Sequence, residues 1–168
     1  MDIWFNLRNL IWREVHLIRQ GTRLVTGFGP NNEINRKIRD KARQYHDKYG
    51  VYSFQNPDDG TVYYCGSFSP YQNEESGLAG RITKYLETRG GGQDTNSKVF
   101  NKINEQIKMN PVAIKILDLS ELRIEERDGP ASNTFWITSI DNGDIARLIE
   151  RMMIAFYRYH NQCRWNDD

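Results

Sequence analysis

The chain has 168 residues, enough for one compact domain and too few for a second substantial core. With 38% hydrophobic and 27% charged residues it has the balance of a globular soluble protein, which excludes the disordered and fibrous classes. The net charge of +1 gives no overall basic field for nucleic acid, and two cysteines, Cys65 and Cys163, exclude a disulfide framework or a paired-cysteine zinc site and fit a reducing, cytoplasmic setting.

Ile3, Leu7, Leu10, Ile11, Val15 and Ile18 recur at helical spacing, so the chain is expected to open with an amphipathic helix ending near Gly21. Arg8, Arg13 and Glu14 interrupt this stretch, which is therefore neither a membrane span nor a signal peptide. Gly27, Gly29 and Pro30 punctuate the chain, and Asn31 or Asn32 can cap a second helix running to about Tyr49, with Gly50 as its stop. That helix is locally basic, carrying Arg36, Lys37, Arg39, Lys41, Arg43 and Lys48 against Asp40 and Asp47, and is a candidate for lying along a phosphate backbone.

Val51 to Phe54 and Val62 to Phe68 read as strands, and the intervening Asn56-Pro57-Asp58-Asp59-Gly60 supplies the dihedral angles of a tight reversal. A helix of about ten residues around Arg81 and Tyr85 follows, ending at the connector Gly90 to Gly92. Val99 to Met109 reads as a helix and Val112 to Leu117 as a buried strand. Glu121 to Arg127 and Thr134 to Ile140 suggest a second hairpin around Asp128-Gly129-Pro130. Ile145, Leu148, Ile149, Met152, Met153 and Phe156 then mark a last helix starting near Asp144. The chain is accordingly expected to be α+β: a small, mostly antiparallel sheet flanked by helices, with an N-terminal helical extension over 1–48 and a core over 49–168.

Gly50-Val51-Tyr52 opens the first hairpin strand and Tyr64-Cys65-Gly66 stands in the second, an order and separation that resemble the GIY-YIG nucleases. After the hairpin the family places a helix with an Arg, a third strand, and a later helix with a Glu followed by an aliphatic residue and an Asn. Here these positions match Arg81, Val112 to Leu117, Glu150 with Ile154, and Asn166, with Asn161 as the alternative for the Asn. The family's usual His four residues after the Arg is Tyr85 in this chain, which keeps a hydrogen-bonding group and removes an imidazole.

The resemblance implies hydrolysis of DNA phosphodiester bonds. Tyr52 would position or deprotonate the attacking water, and Arg81 would clamp the phosphate with its fork of donors. Glu150 would supply a carboxylate oxygen to Mg²⁺, with Mn²⁺ able to substitute, while Tyr64 and Tyr85 would donate hydrogen bonds to the phosphate. The basic residues Arg36, Lys37, Arg39, Lys41 and Arg43 are expected to bind double-stranded DNA, and a homodimer would let two single-site modules address two strands. The lack of a separate DNA-binding segment makes a compact type II restriction endonuclease the most similar kind. A catalytically silent nucleic-acid-binding module of the same fold, or a nuclease for branched DNA or RNA, are the alternatives.

Overall fold

The computed structural model describes residues 3–5, 11–24, 32–70, 77–87, 95–120, 122–126, 133–136 and 142–166. Leu7, Leu10, Gly27, Gly29, Pro30, Asn31, the Gly90 to Gly92 connector, Glu121, the Asp128-Gly129-Pro130 turn and Ile137 to Ile140 lie outside them.

The hairpin forms as its sequence dictates, with strand β3 at Gly50–Gln55 and strand β4 at Val62–Phe68. Asn56 donates its amide to Thr61 O at 2.8 Å, Gly60 returns one to Asn56 O at 3.0 Å, and the Asn56 and Asp59 side chains accept from Asp58 and Thr61 amides. Gly60 has φ of +74°, a left-handed conformation that suits glycine. Strand β5, Val112–Asp118, pairs antiparallel with the other side of β3. With hydrogen-bonded neighbours on both edges and helices on both faces, all six residues of β3 are buried.

Arg13–Ile18 is a strand, β2, paired antiparallel with β5, and not the expected helix. Its register slips between Glu14 and His16, which leaves Val15 as an extra residue. Such a bulge breaks strict alternation, so Val15 and Ile18, three positions apart, both reach the same core and imitate helical spacing. Ile11, assigned to the same apolar stripe, is exposed. Ile3–Phe5 is likewise a strand, β1. It pairs with β6, Arg123–Glu126, which in turn pairs antiparallel with β7, Asn133–Trp136, the second hairpin expected from the sequence.

The described residues therefore form a four-stranded antiparallel sheet in the order β2-β5-β3-β4 and a three-stranded sheet in the order β1-β6-β7. Four helices accompany them: α1 at Glu33–Arg43, α2 at Leu78–Glu87, α3 at Thr95–Met109 and α4 at Asn142–Tyr159. Asn32 caps α1 by accepting the Asn35 amide. The helix ends at Arg43 and not near Tyr49, because Tyr49 already behaves as sheet: its carbonyl accepts the Leu119 amide at 2.9 Å and its ring is buried.

The four-stranded sheet separates two cores. On one face Tyr52, Phe54, Tyr64 and Phe68 meet Ile38 of α1, Leu78, Ile82 and Tyr85 of α2, and Phe100 and Ile103 of α3. On the other, Val51, Cys65 and Leu117 meet Ile145, Ala146 and Ile149 of α4. This division follows from the period-two alternation of β3 and β4, with Tyr52 opposite Gly66 and Phe54 opposite Tyr64. Among the described residues no helix is long and apolar enough to cross a membrane.

Candidate active site

Strand β4 is an outer strand of the sheet, so elements from both faces can reach its edge. At Gly66 and Ser67 they enclose a cavity of about 300 Å³, lined by Tyr52 and Tyr64 from the sheet, Arg81 and Tyr85 from α2, and Arg147, Glu150 and Arg151 from α4. Five of the six residues singled out as catalytic, Tyr52, Tyr64, Arg81, Tyr85 and Glu150, thus share one wall-to-wall space.

Helix and strand geometry explain the convergence. Tyr52 and Tyr64 lie on the same sheet face because Tyr52 pairs with Gly66 and Tyr64 is two residues from it. Arg81 and Tyr85 are four apart on α2, and Arg147, Glu150 and Arg151 are separated by three and four on α4, so each set shares a helical face. Gly66 provides the room: a Cβ there would overlap the phenol oxygen and ring carbons of Tyr52. Gly50 is required in the same way, since a Cβ would overlap the Leu117 carbonyl oxygen on β5.

The three tyrosines form a hydroxyl chain. Tyr85 Oη lies 2.8 Å from Tyr52 Oη and 2.7 Å from Tyr64 Oη. Three hydroxyls carry three protons and two hydrogen bonds use two of them, so one proton remains for a further acceptor. Because both neighbours engage Tyr85, it bridges the chain, and where it accepts from both, its own hydroxyl proton is the one left over.

Burial sets the protonation of this chain. It pushes Tyr52 well above the usual phenol range, assisted by Tyr85, Tyr64 and the Glu150 carboxylate, and raises Tyr64 and Tyr85 as well. For Tyr85 the rise is opposed by hydrogen bonds from Tyr52 and Tyr64 and by the Arg81 charge. A negative charge within the chain is therefore best accommodated at its centre, and all three rest as neutral phenols at neutral pH. Arg81 Nε is buried with no hydrogen-bond partner among the described residues, an unmet donor at the wall of the cavity.

Asn166, the sixth residue, does not line the cavity. Its amide donates Nδ2–H to Cys65 O at 2.8 Å and accepts the Cys65 amide at Oδ1, 3.0 Å away, substituting for a neighbouring strand beside Tyr64. The segment leading to it continues this edge pairing, with Gln162 Oε1 accepting the Val62 amide and the Cys163 amide donating to Val62 O. Asn161 instead lies just past the end of α4, with φ of 58°. Asn166 is consequently a positioning residue for β4. Cys65 is buried on β4 as its sequence suggests, and its thiol contacts that of Cys163 at 3.5 Å.

The basic residues of α1 stand apart from this cavity. Lys37 pairs with Glu33 at 2.6 Å and Arg43 with Asp40 at 3.5 Å, both on exposed helix surface where such pairs contribute little stability. Arg147 and Arg151 were not singled out from the sequence. The signal was present, because their spacing from Glu150 is that of one helical face, but Arg on an exposed helix is ordinarily a solvated charge. Comparison with known proteins finds no matching family, no matching curated protein and no matching solved structure.

Proposed function

We propose that the chain is a metal-dependent endonuclease with a GIY-YIG-like core, of the compact type II restriction kind, hydrolysing phosphodiester bonds of double-stranded DNA and acting on it as a homodimer. The observation that carries this reading is the meeting of Tyr52, Tyr64, Arg81, Tyr85 and Glu150, scattered along the chain, in one polar cavity.

The unmet buried Nε–H of Arg81 supports a role for this residue in holding a phosphoryl oxygen, and Arg147 and Arg151 add positive charge on the opposite wall. The hydroxyl chain handles the proton. As a water attacks phosphorus, its proton passes to Tyr52 while the Tyr52 proton moves to Tyr85, the Tyr85 proton to Tyr64 and the Tyr64 proton to the departing 3′ oxygen, so no phenolate forms at the fully buried Tyr52. The bond from the water oxygen to phosphorus forms as the bond to the 3′ oxygen breaks, and that oxygen leaves as the hydroxyl with the relayed proton.

Glu150 is the sole carboxylate among the cavity's lining residues, and among the described residues no three or more acidic, His or Cys side chains are grouped so as to hold a metal ion by themselves. This donor set fits Mg²⁺ or Mn²⁺ held by one carboxylate, with water and substrate oxygens completing the shell. Three arginines on the same walls oppose a bare cation, so the ion is expected to arrive with the phosphate. When bound it would polarise the phosphoryl oxygen and assist the leaving group.

Supercoiled plasmid incubated with the protein, with Mg²⁺ or with chelator, tests the reading. The wild type should cut only with the ion, and Glu150→Ala should lose at least about 100-fold in rate while still binding duplex DNA. Discrete fragments would support a restriction enzyme and a smear a nonspecific nuclease. DNA binding without any cutting would favour a silent binding module, and equal cutting by both proteins would remove Glu150 from the mechanism.

A further inference from the structure

The opposite edge of the four-stranded sheet holds a second hollow. It lies between β2 and α1, encloses about 460 Å³, and is lined by His16, Arg19, Thr22, Lys37 and Lys41 together with apolar residues such as Ile34. Nothing in the hydrolytic mechanism uses it.

Two independent observations describe its chemistry. Arg19, Lys37 and Lys41 bring three positive charges to one concave space against one lining carboxylate, Glu14, and Glu33, which pairs with Lys37 at 2.6 Å from beyond the lining. The imidazole of His16 lines the same space, and its Nδ1 is buried without a hydrogen-bond partner among the described residues. A buried ring nitrogen without a partner is uncommon, and a ligand oxygen would satisfy it. The positive field is felt at the ring, since burial and then Lys41 and Lys37 lower its proton affinity. The charged groups around it are Lys37 and Lys41 from α1 and Glu14 and Arg19 from β2 and its end. On β5, the partner of His16 is the apolar Ile114, and Lys115 stands opposite Glu14. Cations, a hydroxyl and an imidazole around one hollow suit a tetrahedral oxyanion.

We propose that the hollow between β2 and α1 is a phosphate-binding site, and that on DNA it takes a backbone phosphate remote from the scissile one. The phosphate chemistry stands on the hollow itself, whereas its DNA source rests on the nuclease reading. The spacing is compatible with both sites on one duplex. β2 and β4 are separated by three strand intervals of ~4.8 Å, roughly 14 Å, or about four base-pair steps at ~3.4 Å. The site also gives the basic helix a specific geometry: Lys37 and Lys41 act with His16 and Arg19 across a groove, and the remaining basic residues of α1 are outside it.

The test has two arms. In the first, inorganic phosphate is titrated into the wild type while the imidazole protons are followed by NMR, with the His16 signal identified by its loss in His16→Asn. A saturable shift confined to His16 and an increase in its proton affinity are expected, and both should vanish in the exposed-site double variant Arg19→Ala/Lys41→Ala. No response of His16 overturns the phosphate site. In the second, the same double variant is placed in a Glu150→Ala background and its affinity for a short duplex is measured across salt concentrations. A loss of about 10-fold and a salt slope shallower by about one to two are expected. Unchanged affinity and slope beside a positive first arm overturn the DNA source and leave a site for free phosphate. A wild type that neither binds nor cuts DNA defeats the nuclease reading, and the first arm still decides the hollow.

Discussion

Replacing Tyr85 by Phe separates a bridging hydroxyl from one that merely fills space. Tyr85 holds both hydrogen bonds of the chain, to Tyr52 at 2.8 Å and Tyr64 at 2.7 Å, whereas each of those partners holds one. A net worth of ~0.5–1.5 kcal/mol per bond gives a loss of about 1–3 kcal/mol for Tyr85→Phe and about half of that for Tyr52→Phe or Tyr64→Phe. The upper part of the range is favoured because Tyr52 is only 1% exposed, so its hydroxyl cannot recover the lost partner from bulk water. With an m-value of about 2 kcal/mol/M, the urea midpoint should fall by roughly 0.5–1.5 M for Tyr85→Phe and by less for the other two. Unfolding of the three variants in urea, followed by far-UV circular dichroism and fluorescence, checks this order at constant slope. Equal or smaller destabilisation by Tyr85→Phe would refute the bridging role. The same substitution cuts the proposed proton path, so single-turnover cleavage should slow by at least about 10-fold without a matching loss of DNA affinity.

Gly66→Ala should place a methyl on the Tyr52 phenol, forcing the ring from the cavity. A destabilisation of about 1–3 kcal/mol and loss of cleavage are expected, against little change for Ala at the solvent-facing Arg151 in a stability assay. The tyrosines also impose an alkaline limit on stability. Since burial raises Tyr52, Tyr64 and Tyr85 in the folded state, their contribution is full below the unfolded phenol value of ~10 and is lost as pH rises beyond it, where the unfolded chain ionises first. Spectrophotometric titration at 295 nm should show these phenols ionising only together with unfolding, and reversible titration of all nine tyrosines near the ordinary value would contradict the buried chain.

Where local signals agreed with tertiary demands, the fold was legible. The hairpin of β3 and β4 was readable because turn residues and strand residues both specified it, and α2, α3, β5 and α4 because their apolar periods were unbroken. β2 was not readable. A bulge between Glu14 and His16 gave Val15 and Ile18 a helical interval, and the partner that makes the segment a strand, β5, lies almost a hundred residues away. Pairing over that distance leaves no mark in a local window.

The same distinction divides the site. Tyr52, Tyr64, Arg81 and Glu150 could be named in advance because they sit in an ordered motif, yet the motif says nothing of the groups between which each side chain is held. The motif implies a phosphate donor at Tyr85 and is silent on its neighbours. Its place between two phenols is a property of three elements meeting, and it shifts the preferred seat of negative charge from Tyr52 towards Tyr85. Asn166 was read as part of the catalytic set because of its rank in the motif, and it instead clamps both backbone groups of Cys65. That arrangement still bears on chemistry. Cys65 lies between Tyr64 and Gly66, so the clamp fixes both the phenol at one end of the hydroxyl chain and the glycine that admits the other, and an outer strand without it would present unpaired backbone at the point where the cavity opens. A residue can thus shape the cavity without lining it.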